Sequence, residues 1–323
     1  EYMSNNRRKF IQQVTGLAGI AILPSAFYSC SGKMNPRNHS NAADIKNSFF
    51  EISLAQWSLH RTLRSKKIDN LDFPVITKKE FGISAVEYVN TFFKDKAKDT
   101  AYLNELLKRC SDNGVKNHLI MCDGEGNLGE LDTTKRTQAV DNHKKWVEAA
   151  KYLGCSSIRV NAYGVGSAED VQKAAIEGLG LLGEYAIKEN INVIVENHGG
   201  YSSNGYWLFT VMKNVGMKNV GTLPDFNNFC LTRDSKNKCI EEYDKYKGTY
   251  EMMAYAKAVS AKSMDFDAQG NCIETDYNRM LKIVKDSGFK GYVGIEYEGE
   301  QLGEYEGILK TKALLERVRA TMI

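Results

Sequence analysis

The sequence predicts an α/β fold, a single (β/α)₈ barrel of the TIM type, on three observations. From Asn47 onward, short apolar runs alternate with amphipathic helical stretches, a pattern typical of parallel strands joined by crossover helices. The eight units follow one another without long gaps, which favours a closed barrel over an open sheet. The 323 residues are enough for a targeting segment and one barrel, which needs roughly 250 residues.

The apolar runs predict the strands, and the amphipathic stretches predict the helices between them. The predicted strands are Phe49–Gln56, Ile83–Tyr88, Lys116–Met121, Ser156–Asn161, Asn192–Glu196, Asn219–Leu223, Ala258–Lys262 and Tyr292–Glu296. The helices with the clearest limits are Ala101–Asn113, Lys135–Leu153, Asp170–Asn190, Asp276–Ser287 and Glu304–Arg319. Gly114, Gly154 and Gly288 follow three of these helices, and glycine is the usual residue at a helix end.

The first 44 residues are predicted to be an export signal and linker, and the barrel domain to span residues 45–323. Arg7, Arg8 and Lys9 precede the apolar run from Val14 to Leu23, as in a secretory signal. Paired arginines before such a run resemble the twin-arginine signal, and the alternative is a frayed basic helix. Cys30 is a candidate lipid-attachment site. The protein is therefore expected to be exported, either periplasmic or membrane-anchored and facing the periplasm.

Composition and charge narrow the class of protein. A net charge of +3, with no dense basic run after residue 9, gives no support to a nucleic-acid partner. Seven cysteines occur, and the absence of a CxxC pair argues against a disulfide framework. The six other than Cys30 are expected to be mostly small buried residues. The oligomeric state stays open, with a homodimer or tetramer as candidates.

Charged residues fall on the inward side of several predicted strands. In Val193–Glu196 the valines fit the helix-facing side, so Glu196 points inward. The same alternation turns Asp225 and Glu296 inward, each at the carboxyl end of its strand, where barrel enzymes keep their active sites. Three ionised carboxylates in one pocket repel unless their pKa values rise or a cation lies between them. Oxygen ligands suit Mn²⁺ or Mg²⁺, and one nitrogen ligand would admit Zn²⁺ or Co²⁺.

Several segments carry a resemblance to a known family. They are Asp72–Pro74, Gly82–Asn90, Val195–Gly200, Pro224–Phe229, Ala261–Phe266 and Gly294–Gly299. These segments resemble the xylose-isomerase-like TIM-barrel family, the sugar phosphate isomerase/epimerase group that also includes endonuclease IV. The endonuclease branch needs a histidine-rich zinc cluster, which the few histidines of this chain do not provide.

The resemblance implies a metal site and an acid–base pair. Glu196, Asp225 and Glu296 match three of the family's four metal ligands. Ser260 stands where many relatives have histidine, so the fourth ligand is expected to be Ser260, Gln269 or water. By the same resemblance, Glu196 and Glu296 act on opposite faces of a sugar, and a proton leaves and returns through a cis-enediolate.

Further residues are candidates for substrate contact. They are His198, Lys262, Glu87, Asn161, Trp57 and His60. Lys262 needs a partner, which Asp225 or a substrate oxygen would supply, and Glu87 either contacts hydroxyls or pairs with Arg159. Trp57 and His60, like Tyr201 and Trp207, either cover a sugar face or pack loops.

The leading functional hypothesis is a metal-dependent isomerase or epimerase of a non-phosphorylated sugar or keto-sugar derivative. Export away from the cytoplasm makes a phosphorylated substrate a poorer fit. One alternative is a keto-sugar lyase or hydratase that uses the same enediolate. Another is a non-catalytic sugar-binding lipoprotein, which the serine at position 260 favours and the two glutamates oppose.

Overall fold

Eight parallel strands form the central sheet in the computed structural model, which describes residues 48–322. The strands of this sheet and of a separate hairpin are, in chain order, β1 (Phe50–Ala55), β2 (Ala85–Val89), β3 (Lys116–Met121), β4 (Ser157–Val160), β5 (Asn192–Glu196), β6 (Val220–Leu223), β7 (Cys230–Arg233), β8 (Cys239–Glu242), β9 (Val259–Ser263) and β10 (Gly291–Tyr297). β7 and β8 are the hairpin, and the other strands form the barrel. The predicted (β/α)₈ architecture is confirmed.

Helices follow the barrel strands and pack around the sheet. They are α1 (His60–Arg64), α2 (Phe73–Phe81), α3 (Thr100–Asn113), α4 (Thr133–Leu153), α5 (Ala168–Lys188), α6 (Gly205–Val215), α7 (Lys245–Met253), α8 (Tyr277–Asp286) and α9 (Glu304–Ala320). Asp99, Asp132 and Ser167 cap the first turns of α3, α4 and α5 by accepting main-chain N–H groups. Gly114 and Gly154 end α3 and α4 in the left-handed conformation, as predicted.

The predicted strand limits agree with the structure to within two residues. The largest difference is at β2, which begins at Ala85 rather than Ile83. The amide of Ile83 donates to the carbonyl of Thr77, so this residue still belongs to the end of α2. An apolar pattern alone does not separate a residue that closes a helix from one that opens a strand.

The barrel closes between β6 and β9, the two edges of the hydrogen-bonded strand order. Only isolated bridges join these edges, and one of them pairs Asp225 with Ser260. The amide of Ser260 donates to the carbonyl of Pro224, and the amide of Phe226 donates to that of Ser260. We call this join the seam of the barrel.

Side chains alternate between the barrel interior and the helix layer as the strand pattern predicts. Val193 and Val195 belong to the large outer core, whereas Ile194 belongs to a smaller cluster inside the barrel. The other members of the inner cluster are Ala55, Val89, Leu119, Met121, Leu223 and Ala258. This apolar layer fills the barrel below the polar residues at the carboxyl ends of the strands.

The β7–β8 hairpin corrects the prediction for the cysteines. Cys230 and Cys239 form a disulfide between the two antiparallel strands. The sequence did not predict this disulfide, because the two cysteines are nine residues apart and are brought together only by the reversal of the chain in the hairpin. The four other described cysteines are buried and free, as expected.

The predicted export signal, the linker and Cys30 lie outside the described residues. Among residues 48–322, no helix has the length and apolar character needed to cross a membrane.

Candidate metal and substrate site

Three buried carboxylates meet at the carboxyl ends of the strands. Glu196 ends β5, Asp225 follows β6, and Glu296 lies in β10. One oxygen from each carboxylate lies within 4.8 Å of the others, and each residue is at most 4% exposed. The inward orientation predicted for these residues is therefore confirmed, and they form one cluster, here called the carboxylate cluster.

Ser260 occupies the space between two members of the cluster. Its hydroxyl donates to Asp225 Oδ2 at 2.6 Å and lies 3.5 Å from Glu296 Oε2. Gln269 is exposed, and its carbonyl accepts from Arg317 near the end of α9. Of the two side chains predicted as a fourth ligand, the structure thus brings Ser260 to the cluster and leaves Gln269 away from it.

Lys262 and Asn228 tie the cluster together from the other side. The ammonium group of Lys262 lies 3.1 Å from Glu296 Oε1 and 3.2 Å from Glu298 Oε2, and it donates to Asn228 Oδ1 at 3.1 Å. Asn228 in turn donates to Glu196 Oε1 at 3.0 Å. The ion-pair partners of Lys262 are therefore Glu296 and Glu298, whereas Asp225, one of the two partners expected for it, accepts its hydrogen bond from Ser260.

Arg159 connects the cluster to Asp123. Its Nη1 donates to Asp123 Oδ1 at 2.8 Å, and its Nε lies 2.9 Å from Glu196 Oε2. The second contact is not aligned as a hydrogen bond, so Glu196 Oε2 has no hydrogen-bond partner within the described part of the chain. A buried carboxylate oxygen without a donor is suited to a cation.

Burial and mutual repulsion separate the pKa values of the cluster. Burial raises the pKa of Glu196 to about 7 against the pull of Arg159, and burial raises that of Asp225 to about 7 against Lys262. Burial also opposes ionisation of Glu296, but Lys262 and, to a smaller extent, Arg159 and His198 together outweigh it and lower the pKa of Glu296 below its ordinary value. In the metal-free protein Glu296 is thus ionised, whereas Glu196 and Asp225 titrate near neutral pH.

Glu87 lies inside the barrel with no exposed surface. It accepts a hydrogen bond from Ser53 at 2.6 Å and packs against Gly294, where any side chain would collide with the carboxyl group. Burial raises the pKa of Glu87 to about 8, so it is protonated at neutral pH. Of the two roles considered for Glu87, pairing with Arg159 is not seen, because the ion-pair partners of Arg159 are Asp123 and Glu196.

Replacing Glu87 with glutamine is expected to stabilise the protein increasingly as pH rises. The folded-state pKa of about 8 exceeds the ordinary value of 4.5, so the unfolded chain loses this proton first and stability falls across that interval. Relative to wild type, the gain should grow by about 2 kcal/mol between pH 5.5 and pH 7. Urea unfolding of both proteins in a chelator at these two pH values measures it, and a gain independent of pH would show that Glu87 is ionised in the folded state.

Three of the residues predicted to contact substrate, Trp57, His60 and Asn161, lie in or next to side-chain contacts at the rim of the barrel. Trp57 lines a cavity of about 770 Å³ together with Phe92 and Asp123, and His60 stacks on Trp57 at a ring distance of 4.9 Å. His60 Nδ1 donates to the Trp57 carbonyl oxygen, so a hydrogen bond and ring stacking together fix His60 against Trp57. Asn161 donates to Asp123 Oδ1 at 2.9 Å.

His198 meets a tyrosine that sequence reasoning did not single out. The hydroxyl of Tyr163 donates to the His198 carbonyl oxygen and lies 2.8 Å from His198 Nδ1. Because the Tyr163 hydroxyl uses its proton on the carbonyl oxygen, it can only accept a hydrogen bond from the imidazole. The imidazole proton is therefore on Nδ1, and Nε2 is free to accept a hydrogen bond. Burial lowers the pKa of His198, so the ring is neutral at physiological pH.

Three site residues were missed by the sequence argument: Asp123, Tyr163 and Asn228. The inward parity of Met121 in β3 extends to Asp123, and that of Arg159 in β4 extends to Tyr163, so strand alternation continued past the strand ends would have found both. Asn228 has no such signal. Its position depends on a turn in which the amides of Asn227 and Asn228 both donate to Asp225 Oδ1.

The fold and the site together define a class: a (β/α)₈ barrel with a buried carboxylate cluster at the carboxyl ends of strands β5, β6 and β10. Residues 78–320, well over half of the chain, match the family described as "Xylose isomerase-like TIM barrel". The protein belongs to this family, which confirms the resemblance seen in the sequence. No curated protein matches the sequence.

Solved structures share the fold at low sequence identity. IOLI protein with a bound zinc atom superposes with a TM-score of 0.64 at 14% identity, over 84% of this chain and 99% of that one. A xylose isomerase-like TIM-barrel protein from Mycobacterium smegmatis in complex with magnesium gives 0.62 at 13%, over 84% and 98%. The 3-keto-D-glucoside 4-epimerase YcjR from E. coli gives 0.59 at 14%, over 84% and 99%.

Proposed function

We propose that the protein is a metal-dependent isomerase or epimerase of a non-phosphorylated sugar or keto-sugar derivative. The observation that carries this proposal is the carboxylate cluster, in which three buried acidic side chains from three strand ends place oxygens within 4.8 Å of one another. Oxygen donors of this kind suit Mn²⁺ or Mg²⁺ first, with Zn²⁺ or Co²⁺ as alternatives. The similar structures with zinc and with magnesium support the same reading for this chain.

The residues of the cluster would have two roles, metal binding and proton transfer. Glu196, Asp225 and Glu296 would hold the ion, and Ser260 lies close enough to Asp225 and Glu296 to share a water molecule or substrate oxygen with it. A bound divalent ion would polarise a substrate carbonyl and so acidify the neighbouring carbon-bound proton. In the metal-free protein burial raises the pKa of Glu196, whereas Lys262 and Arg159 lower that of Glu296, so the two glutamates lie in different electrostatic surroundings. With the ion bound, either carboxylate could act as the base.

Proton transfer then needs no group outside the cluster. One glutamate would remove the proton beside the carbonyl to give a cis-enediolate, and the other would return a proton, taken up from solvent, to the opposite face. His198 Nε2 accepts a hydrogen bond from a substrate hydroxyl, and Asn161 and Trp57 contact the sugar at the rim. Arg159 and Lys262, the cations in contact with the cluster, are already paired with carboxylates, which supports an uncharged substrate over a phosphorylated one.

An exported location is part of the proposal. The basic and apolar segments at residues 7–23 support it, as does the Cys230–Cys239 disulfide, since such bonds persist in oxidising compartments and are rare in the cytosol. Lipid anchoring at Cys30 would hold the barrel at the membrane facing the periplasm.

Metal binding is expected to strengthen as pH rises through about 7. In the metal-free protein Glu196 and Asp225 have pKa values near 7, and both must lose their protons to bind an ion. Affinity for Mn²⁺ should therefore fall by about 10- to 100-fold for each pH unit below this range. Calorimetry in two buffers of different ionisation enthalpy measures both the affinity and the released protons, and affinity that does not change between pH 6 and pH 8 would contradict the proposed ligands.

The reaction is tested by solvent deuterium wash-in with the Mn²⁺-loaded protein and a panel of ketoses and keto-glycosides. Deuterium incorporation next to the carbonyl, with an epimer or isomer as product, is the expected result. Incorporation with loss of water or of the aglycone would identify the lyase or hydratase alternative. Binding without any exchange would leave the sugar-binding lipoprotein as the better reading.

A further inference from the structure

We infer that a cavity beside the carboxylate cluster is a subsite for a second sugar ring, so that the substrate is a glycoside rather than a free monosaccharide. This inference rests on the proposed function. The cavity has a volume of about 540 Å³, within the roughly 300–1,000 Å³ of typical small-molecule sites. Its walls include Tyr163, Tyr201, Trp207, Leu231 and Thr232.

Tyr163 connects this cavity to the candidate site. Its ring lines the cavity, and its hydroxyl contacts His198, two residues after Glu196. A sugar that reacts between Glu196 and Glu296 and contacts His198 would therefore lie next to Tyr163, and a glycosidic substituent on that sugar would extend past Tyr163 toward the cavity.

The chemistry of the walls fits a neutral ring with apolar C–H faces. Tyr201 and Trp207 pack at a ring distance of 5.9 Å. Their polar atoms are already bonded, the Tyr201 hydroxyl to the carbonyl of Gly166 and the indole N–H of Trp207 to that of Ala168. Tyr201 is 37% exposed and offers ring surface for contact, whereas Trp207 is 7% exposed and packs against it. All of the lining side chains are uncharged, so a phosphate or carboxylate group would find no counter-charge there.

One wall is held in place by the disulfide of the hairpin. Leu231 and Thr232 belong to β7, which packs against the short turn Gly200–Ser203 that carries Tyr201. The Cys230–Cys239 bond closes the hairpin across the base of this wall. A wall fixed before binding costs less ordering entropy when a ligand enters, as a recognition surface requires.

Binding to the Mn²⁺-loaded Glu196→Gln variant tests the subsite without turnover. Maltose, cellobiose, lactose, sucrose and trehalose are compared with glucose by calorimetry, supported by tryptophan fluorescence. At least one disaccharide is expected to bind about tenfold more tightly than glucose. Tyr201→Ala, and Ala168→Phe at an exposed lining position in the first turn of α5, should remove this advantage and leave glucose affinity unchanged.

Tyr206→Ala is the matched control, because Tyr206 is 61% exposed, lies in the same segment and does not line the cavity. No disaccharide preference, or equal loss of both sugars in Tyr201→Ala, would overturn the inference. A preference shown by phenyl β-glucoside alone would also overturn it, in favour of an apolar aglycone. Disaccharide preference in a protein that shows no deuterium exchange would contradict the proposed reaction and leave the subsite standing.

Discussion

Replacing Glu196 with glutamine is expected to lower deuterium wash-in by about 10²–10⁴-fold, the usual loss when a general acid or base is removed. Glutamine keeps the shape of the side chain and can still accept the hydrogen bond from Asn228. It cannot exchange a proton with the substrate, and it is a weaker ligand than a carboxylate. The rate of exchange into the substrate, with Mn²⁺ at saturating concentration, measures the effect.

Glu298→Gln is the matched control for this variant. Glu298 also pairs with Lys262 at 3.2 Å, but it is not a member of the carboxylate cluster, and its side chain is 25% exposed. Its replacement should change exchange by less than about tenfold. If both variants lose activity equally, the effect comes from the charge network around Lys262 and not from acid–base chemistry at Glu196.

Replacing Lys262 with methionine is expected to destabilise the metal-free protein by about 3–5 kcal/mol, the usual cost of leaving a buried charge without its partner. Lys262 is 4% exposed, and its removal leaves Glu296 in a buried, acidic cluster without its nearest cation. Added Mn²⁺ should recover more stability in the variant than in the wild type, because the ion then supplies the missing positive charge. Urea unfolding with chelator and with Mn²⁺ gives both values.

Lys245→Met controls for the loss of a paired lysine elsewhere. The Lys245 side chain is 14% exposed, but its carboxylate partner Glu242 is 47% exposed, so solvent can screen the charge that remains. A loss in Lys262→Met no larger than in this control would show that Lys262 does not balance the cluster.

Most of the barrel could be predicted from the sequence, because buried parallel strands and amphipathic helices leave different apolar periods. The inward turn of Glu196, Asp225 and Glu296 followed from strand alternation alone. Alternation extended past the strand ends would also have found Asp123 and Tyr163, but other contacts lie in loops where it no longer applies. The pairing of Lys262 with Glu298 and the position of Asn228 depend on loop conformation, which has no periodic signal.

The hairpin was missed for a related reason. Cys230 and Cys239 lie in a polar stretch between β6 and α7, where neither the helical nor the strand period is visible.

For Glu87 the sequence predicts the direction of the side chain but not its hydrogen-bond partner. Its inward direction could be read from the sequence, but its partner could not, because Ser53 comes from a strand that precedes it by more than thirty residues.

The seam of the barrel passes through the candidate site. Glu196 and Asp225 stand on the β5–β6 side of this join, whereas Ser260 and Glu296 stand on the β9–β10 side. An ion held by Glu196, Asp225 and Glu296 would therefore connect the two edges of the sheet at the place where the fewest main-chain hydrogen bonds join neighbouring strands. By mass action, an ion or ligand bound there would also stabilise closure of the barrel, so occupancy of the proposed site and closure of the sheet would be thermodynamically linked.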